Sequence, residues 1–435
     1  NYADVADTDN VEAIDVLQTI NVMVGDGSNF NPDQNVTREE MAVIMCRLLD
    51  YTVSTYKGTT NFTDVDEWAL PYVEACYTNG IIAGYSDTQF GGGDPVTTGQ
   101  ASLMILKALG YFQEPGDFGS DWLVETIRQG AQINLFDKVD NGANDALTRN
   151  DVAQIVLNAL QAECVQISDH DLVSDGKGGF TTKANYHGRN KVTAWDNILD
   201  ADTGAGLQLG EELYEGDLQL VEMEDDFGRP AVQWKYGTEE IGTYADSTQL
   251  KATYTAKATR GELYSLVGSS VVRDLEAGRC DLTVFVDGKE VTNPNLDNYF
   301  VRNSSTSIGI SGQNATGNGT LTEVYMDKEN NVTVVQVNTY LVKATADYNT
   351  TKESLSVEVV DVDCATAPAL NTVIENADVD VSSFKEGDYI LVTYSYDTKQ
   401  IESAQLAEVV TGEVSEFTVD DYVIMDGTTY KYDYV

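Results

Sequence analysis

Apolar positions in the first third of the chain recur at helical spacing. Val11, Ile14, Leu17 and Ile20 come every three residues, and Met41, Ile44, Leu48 and Leu49 follow at i, i+3, i+7 and i+8. Each set predicts one helix with a single apolar stripe. Between them Gly25-Asp26-Gly27-Ser28-Asn29-Phe30-Asn31-Pro32 reads as a turn. The same order returns twice. Trp68, Tyr72, Val73, Cys76 and Tyr77 mark a helix, Gly80–Asp87 a turn, and Leu103, Ile105, Leu106 and Leu109 a second helix. A third, more degenerate unit has a helix over about 121–131 and another through Val152, Ile155, Val156, Leu157 and Leu160. After about Val165 the period drops to two. Asp287-Gly288 between Leu282–Val286 and Lys289–Thr292 predicts a hairpin, as do Leu321–Met326 with Val332–Val337 and Tyr422–Met425 with Thr428–Tyr432.

One motif punctuates the helical part. Val36-Thr37-Arg38-Glu39-Glu40, Val96-Thr97-Thr98-Gly99-Gln100 and Leu147-Thr148-Arg149-Asn150-Asp151 stand 60 and then 51 residues apart. Such a period marks a tandem array in which no unit buries its apolar face alone. Thr37 with Glu40, Thr97 with Gln100 and Thr148 with Asp151 read as capping boxes, which account for the threonines and acids. They leave Arg38 and Arg149 unexplained, because a cation in the first helical turn faces the positive end of the helix dipole. Two readings stand: a salt bridge to an acid of a neighbouring unit, or an anionic ligand held jointly by the guanidinium and the helix amides.

Length and charge narrow the function. With 435 residues there is room for two to four domains. The balance of 26 Lys+Arg against 71 Asp+Glu gives a net charge of −45, which excludes phosphate-backbone binding and disfavours anionic membranes. The 42% hydrophobic share argues for a folded chain with an anionic surface. No apolar run reaches the ~18 residues a membrane span needs. The start at Asn1, without methionine, fits a chain whose signal peptide has been removed, and the strand-like Tyr430–Val435 fits a chain that continues. Cys46 and Cys76 fall in apolar helical stretches and are expected as buried thiols.

The ordered motifs carry a resemblance. Tyr2-Ala3-Asp4-Val5 and Phe62-Thr63-Asp64-Val65 open the first two units, Gly80-Ile81-Ile82-Ala83-Gly84-Tyr85-Ser86-Asp87 follows in the second, and the threonine-arginine motif closes each cycle. This order resembles S-layer homology domains. The resemblance implies three repeats, at 1–55, 56–113 and 114–165, forming a pseudo-threefold helical trimer. It also implies binding of secondary cell-wall polysaccharide, often pyruvylated, with Arg38 and Arg149 on its acidic group. Asp4, Asp64, Gly25 and Gly84 would shape the clefts. Thr98 stands where a second arginine is expected, and the third unit offers Asn134-Leu135-Phe136-Asp137 in place of Gly-Tyr-x-Asp, so at most two clefts look competent.

The expected architecture is therefore multidomain α + β: the repeats, a linker over 166–205 that contains His170 and His187, and two all-β sandwich or small-barrel modules at 206–320 and 321–435. Nothing reads as a zincin, nucleophile-elbow, P-loop or dinucleotide motif, so no catalytic residue is assigned. Acid pairs such as Asp225-Asp226 and Asp420-Asp421 are expected from composition alone. Asp361 with Asp363 and Asp378 with Asp380 are candidate Ca²⁺ ligands without an EF-hand loop pattern. The leading expectation is a secreted, non-enzymatic S-layer or cell-surface protein, anchored to wall polymer and self-assembling through its β modules into a lattice or filament. An anchored enzyme or adhesin is the alternative.

Overall fold

The computed structural model describes residues 2, 4–5, 8, 10–194, 199, 206–309, 316–317, 319–360, 370–419 and 421–431. Asp361, Asp363 and Asp420 therefore lie outside the described residues. The chain divides into two compact units, 1–222 with 233–243, and 223–232 with 244–435.

The first unit holds α1 (Val11–Thr19), α2 (Arg38–Leu48), α3 (Leu70–Thr78), α4 (Thr98–Ala108), α5 (Trp122–Gln132) and α6 (Arg149–Gln161). All three capping boxes form, at Thr37, Thr97 and Thr148. Each is worth about 1 kcal/mol to its helix. The helices pair cyclically: α2 packs on α3, α4 on α5, and α6 on α1. Each repeat's second helix thus covers the first helix of the next repeat, which is why Ile14, Leu17, Met41, Met45, Ile105, Val156 and Leu160 are all buried. The segments entering α2, α4 and α6 also close a ring. Val36 N–H donates to Leu147 O, Leu147 N–H to Val96 O, and Val96 N–H to Val36 O, at 3.0, 3.0 and 2.8 Å.

The expected linker over 166–205 is corrected in its first half. Val165–Ser174 (β1) and Phe180–Gly188 (β2) form an antiparallel hairpin with a bulge after Ile167. The ladder is fastened to the array. Val165 N–H donates to Leu109 O, and Asp117 on the 3₁₀ turn Pro115–Phe118 accepts from Ala184 N–H and Tyr186 Oη. Both histidines lie on this hairpin: His170 Nε2 is 3.3 Å from Glu114, and His187 bonds Gln166. Most of its positions face solvent, so no apolar alternation announces the strands. Leu209–Tyr214 (α7) packs on α6. Leu218–Glu224 (β3), Pro230–Tyr236 (β4) and Glu239–Ala245 (β5) follow as a three-stranded sheet in that order.

The second unit is built on one long strand. In chain order its elements are β6 (Leu250–Tyr254), α8 (Arg260–Val267), α9 (Ser269–Glu276), β7 (Leu282–Val286), β8 (Lys289–Glu290), β9 (Thr320–Met326), β10 (Val332–Ala344), β11 (Ser354–Val359), β12 (Val373–Glu375), β13 (Tyr389–Ser395) and β14 (Gln400–Leu406). The first half of β10 pairs antiparallel with β9 and parallel with β7, and the second half pairs with β13 and β11. Two cores flank it. One sets Leu263, Val267, Val271, Val272 and Leu275 of α8 and α9 against Val284, Val324, Val332 and Val334. The other gathers Val342, Leu355, Ile374, Ile390, Val392 and Ile401. The first core is thus α+β rather than all-β, and β10 belongs to both, so no break falls at residue 320. All three expected hairpins form, at β7–β8, β9–β10 and between Tyr422–Met425 and Thr428–Lys431.

Candidate functional site

The threonine-arginine motif does its work across repeats. At the start of α2, Arg38 N–H donates to Asp94 O and Glu39 N–H to Gly92 O, while Glu40 N–H goes to the Thr37 hydroxyl. The start of α6 repeats this on the first repeat, with Arg149 N–H to Gln34 O, Asn150 N–H to Pro32 O and Asp151 N–H to Thr148. Every amide of the first helical turn is therefore already taken. A ligand held by guanidinium and helix amides together is excluded, because those amides serve the neighbouring turn instead.

The guanidinium groups follow the same logic. Arg38 reaches into the second repeat, where Nε donates to Phe90 O and Nη2 to Ala83 O, each at 3.0 Å. Its Cζ lies 4.5 Å from the Phe90 ring centroid and 4.7 Å from that of Tyr85. Arg149 reaches into the first repeat, with Nε to Phe30 O at 2.7 Å, Nη2 to Val24 O at 2.9 Å, and Cζ 4.5 Å from the Phe30 ring. Neither arginine forms an ion pair among the described residues. The salt-bridge reading fails for the same reason the amide reading does: the partners are backbone carbonyls. Burial pulls both guanidinium pKa values down, and nearby groups, Tyr85, Asp94 and Asp64 for Arg38, push back. Both remain cations at any physiological pH. In each, Nη1 has no protein acceptor among the described residues.

Two carboxylates brace these turns. Asp64 accepts from Phe90 N–H and Gly91 N–H, and Asp4 from Phe30 N–H and Asn31 N–H. Phe90 and Phe30 thus each give an amide to an aspartate and a carbonyl to an arginine. Asp4 is held below the usual carboxylate range chiefly by the Phe30 amide. For Asp64 desolvation acts upward, but the Phe90 and Gly91 amides and Arg38 outweigh it and the net shift is downward. Gly25 and Gly84 admit no side chain, since a Cβ would stand 2.1 Å from Asn29 O at the first and 2.5 Å from the Phe62 ring at the second. The structure therefore gathers Arg149, Asp4 and Gly25 around one turn, and Arg38, Asp64 and Gly84 around the equivalent turn of the second repeat. The rings of Phe30, Phe90 and Tyr85 join them, and the turn motifs contained Phe30 and Tyr85 without assigning them this role.

The third position is built differently. Thr98 is buried, and its N–H donates to Asp145 O. In the third repeat Asn158 Nδ2 donates to Leu135 O and Asp137 O, so an asparagine from α6 holds the turn carbonyls. Among the described residues no group of three or more His, Cys, Asp and Glu is placed to hold a metal ion, and no helix is long and apolar enough to cross a membrane.

The S-layer homology domain family matches residues 1–42 and 61–102, within the first two repeats. The Middle cell wall protein of Brevibacillus brevis is 27% identical over 165 residues, covering 37% of this chain and 15% of that protein. The Surface-layer 125 kDa protein of Lysinibacillus sphaericus is 26% identical over 328 residues, covering 74% of this chain and 25% of that one. Exoglucanase XynX of Acetivibrio thermocellus is 28% identical over 114 residues, 24% of this chain and 10% of that enzyme. The chain spans a quarter or less of the length of these relatives.

Proposed function

We propose, for a chain that carries S-layer homology domains and is related to surface-layer proteins, a structural role at the cell surface. The helical array binds secondary cell-wall polysaccharide and the β region joins copies into a lattice or filament. One observation supports the anchoring half: two equivalent turns, each with an arginine from the preceding repeat fixed on it and an aspartate and aromatic rings beside it. The outer guanidinium nitrogen of each is the group that takes an acidic sugar substituent, pyruvyl ketals included. The cyclic helix pairing supports a pseudo-threefold arrangement. Because the β1–β2 hairpin is bonded to the array, the functional anchor extends beyond residue 165. The whole chain is expected to pellet with sacculi that retain their secondary polymer and to stay in solution with sacculi stripped of it. Equal pelleting with both would overturn the anchoring reading.

Assembly rests on the relatives' surface-layer names and on exposed apolar side chains near the C-terminal strands: Leu406, Val409, Val410, Val414, Phe417 and Val419. Subunits of net charge −45 repel one another, so divalent cations act here as counterions that screen the contact. Millimolar Ca²⁺ is expected to shift sedimentation velocity profiles from monomer to large species, and a calcium-indifferent monomer would exclude this step. The second reading, a surface-anchored enzyme, draws on the exoglucanase match. Turnover of a polysaccharide by the purified monomer would favour it.

A further inference from the structure

We infer that Cys46 and Cys76 are a disulfide-forming pair that joins the first repeat covalently to the second. Cys46 lies on α2 and Cys76 on α3, and their sulfurs stand 3.4 Å apart. The contact is reciprocal: Cys46 Sγ–H donates to Tyr72 O and Cys76 Sγ–H to Ala42 O, each one turn before the other cysteine. Both side chains are buried, at 2% and 0% exposure. A disulfide needs the sulfurs at about 2.05 Å, so closing the bond requires the two side chains to approach further from 3.4 Å. Neither Cys164 nor Cys280 faces another cysteine among the described residues; Cys280 Sγ–H points to Val271 O.

The chemistry requires an oxidant, and a small-molecule disulfide suffices. One cysteine thiolate attacks it, forming a mixed disulfide and releasing one small thiol. The second cysteine then attacks that protein sulfur, closes the Cys46–Cys76 bond and releases the second small thiol. The two cysteine protons end on those two thiols, and the two-electron oxidation of the pair balances the reduction of the reagent. In the folded array the hydrogen bond to Cys46 and burial both push the Cys76 thiol upward, so exchange there is slow. The bond spans the same two repeats that Arg38 joins. An oxidising setting outside the cell rests on the surface reading above, but the pairing rests on geometry and is tested on the purified chain.

The full chain is unfolded under reduction, then refolded with oxidised and reduced glutathione or with reductant alone. Both samples are alkylated in denaturant and digested. After oxidative refolding the Cys46 and Cys76 peptides are expected joined and about 2 Da lighter than their sum, while the reduced sample is fully alkylated. The oxidised chain is expected to melt on the order of 10 °C higher, and the difference should vanish in the Cys46→Ala/Cys76→Ala double variant. Full alkylation of both cysteines after oxidative refolding, or bonding of either to a different cysteine, would overturn the inference. The mass measurement decides it even if the double variant does not fold.

Discussion

Replacing Arg38 with alanine is expected to destabilise the helical array by about 2–4 kcal/mol. The residue is 4% exposed, and its guanidinium supplies donors to Phe90 O and Ala83 O and lies against two rings. Charge-assisted hydrogen bonds contribute about 1.5–3 kcal/mol each, and a partly desolvated cation on an aromatic face about 1–2 more. Against this, alanine removes the desolvation of a buried cation and a few tenths of a kcal/mol of helix-dipole repulsion. The loss dominates because truncation leaves the carbonyl of buried Phe90, and with it that of Ala83, without its donor. Arg149→Ala should cost less, since that side chain is only half-buried. Arg38→Lys should recover part of the loss, because an ammonium cannot span both carbonyls with a rigid fork. Denaturant unfolding of the three variants measures this. A chain with Arg38→Ala that melts like the parent would mean the carbonyls find water as readily as the guanidinium.

That expectation reverses what the motif alone suggests, and the reversal marks where sequence reading stops. Capping boxes are local, so Thr37, Thr97 and Thr148 with their N3 partners can be read directly from spacing. Buried stripes such as Ile14 and Leu17 are legible for the same reason. The acceptors that hold Arg38 and Arg149 are main-chain carbonyls of Ala83, Phe90, Val24 and Phe30, and no residue type announces a carbonyl's direction. Nor does spacing say that a repeat's arginine serves the next repeat's turn; that follows from cyclic pairing of the helices, which brings α6 back onto α1. The β1–β2 hairpin escaped because its faces are mostly solvated. By contrast α8 and α9 had a usable signal. Thr259 and Glu262 form a capping box before Leu263, Val267, Val271 and Leu275, at spacings that match a helical stripe better than a strand. The abundance of threonine and valine around them masked it.

Gly84→Ala is expected to match or exceed the Arg38 effect, and to do so without removing any donor or charge. Its Cβ would stand 2.5 Å from the Phe62 ring and 2.7 Å from the carbonyl oxygens of Gln89 and Ser86. The ring could rotate aside, but two backbone oxygens of the same turn cannot yield separately, so the turn must open. Ala83 O lies one residue before Gly84 and Phe90 O one residue after Gln89; both are the acceptors of Arg38. Opening the turn therefore loosens the guanidinium from both ends, and a loss of about 2–4 kcal/mol is expected from overpacking plus weakened hydrogen bonds. A Gly27→Ala variant separates this clash from the general cost of replacing a turn glycine. Gly27 has φ +102°, and a Cβ there meets nothing within 4 Å, so only the backbone penalty of about 1 kcal/mol remains. If the cleft binds wall polymer, Gly84→Ala should also weaken pelleting with native sacculi at temperatures where the chain is still folded, whereas Gly27→Ala should not. Equal melting points for the two variants would show that the turn absorbs the added methyl group without shifting its carbonyls.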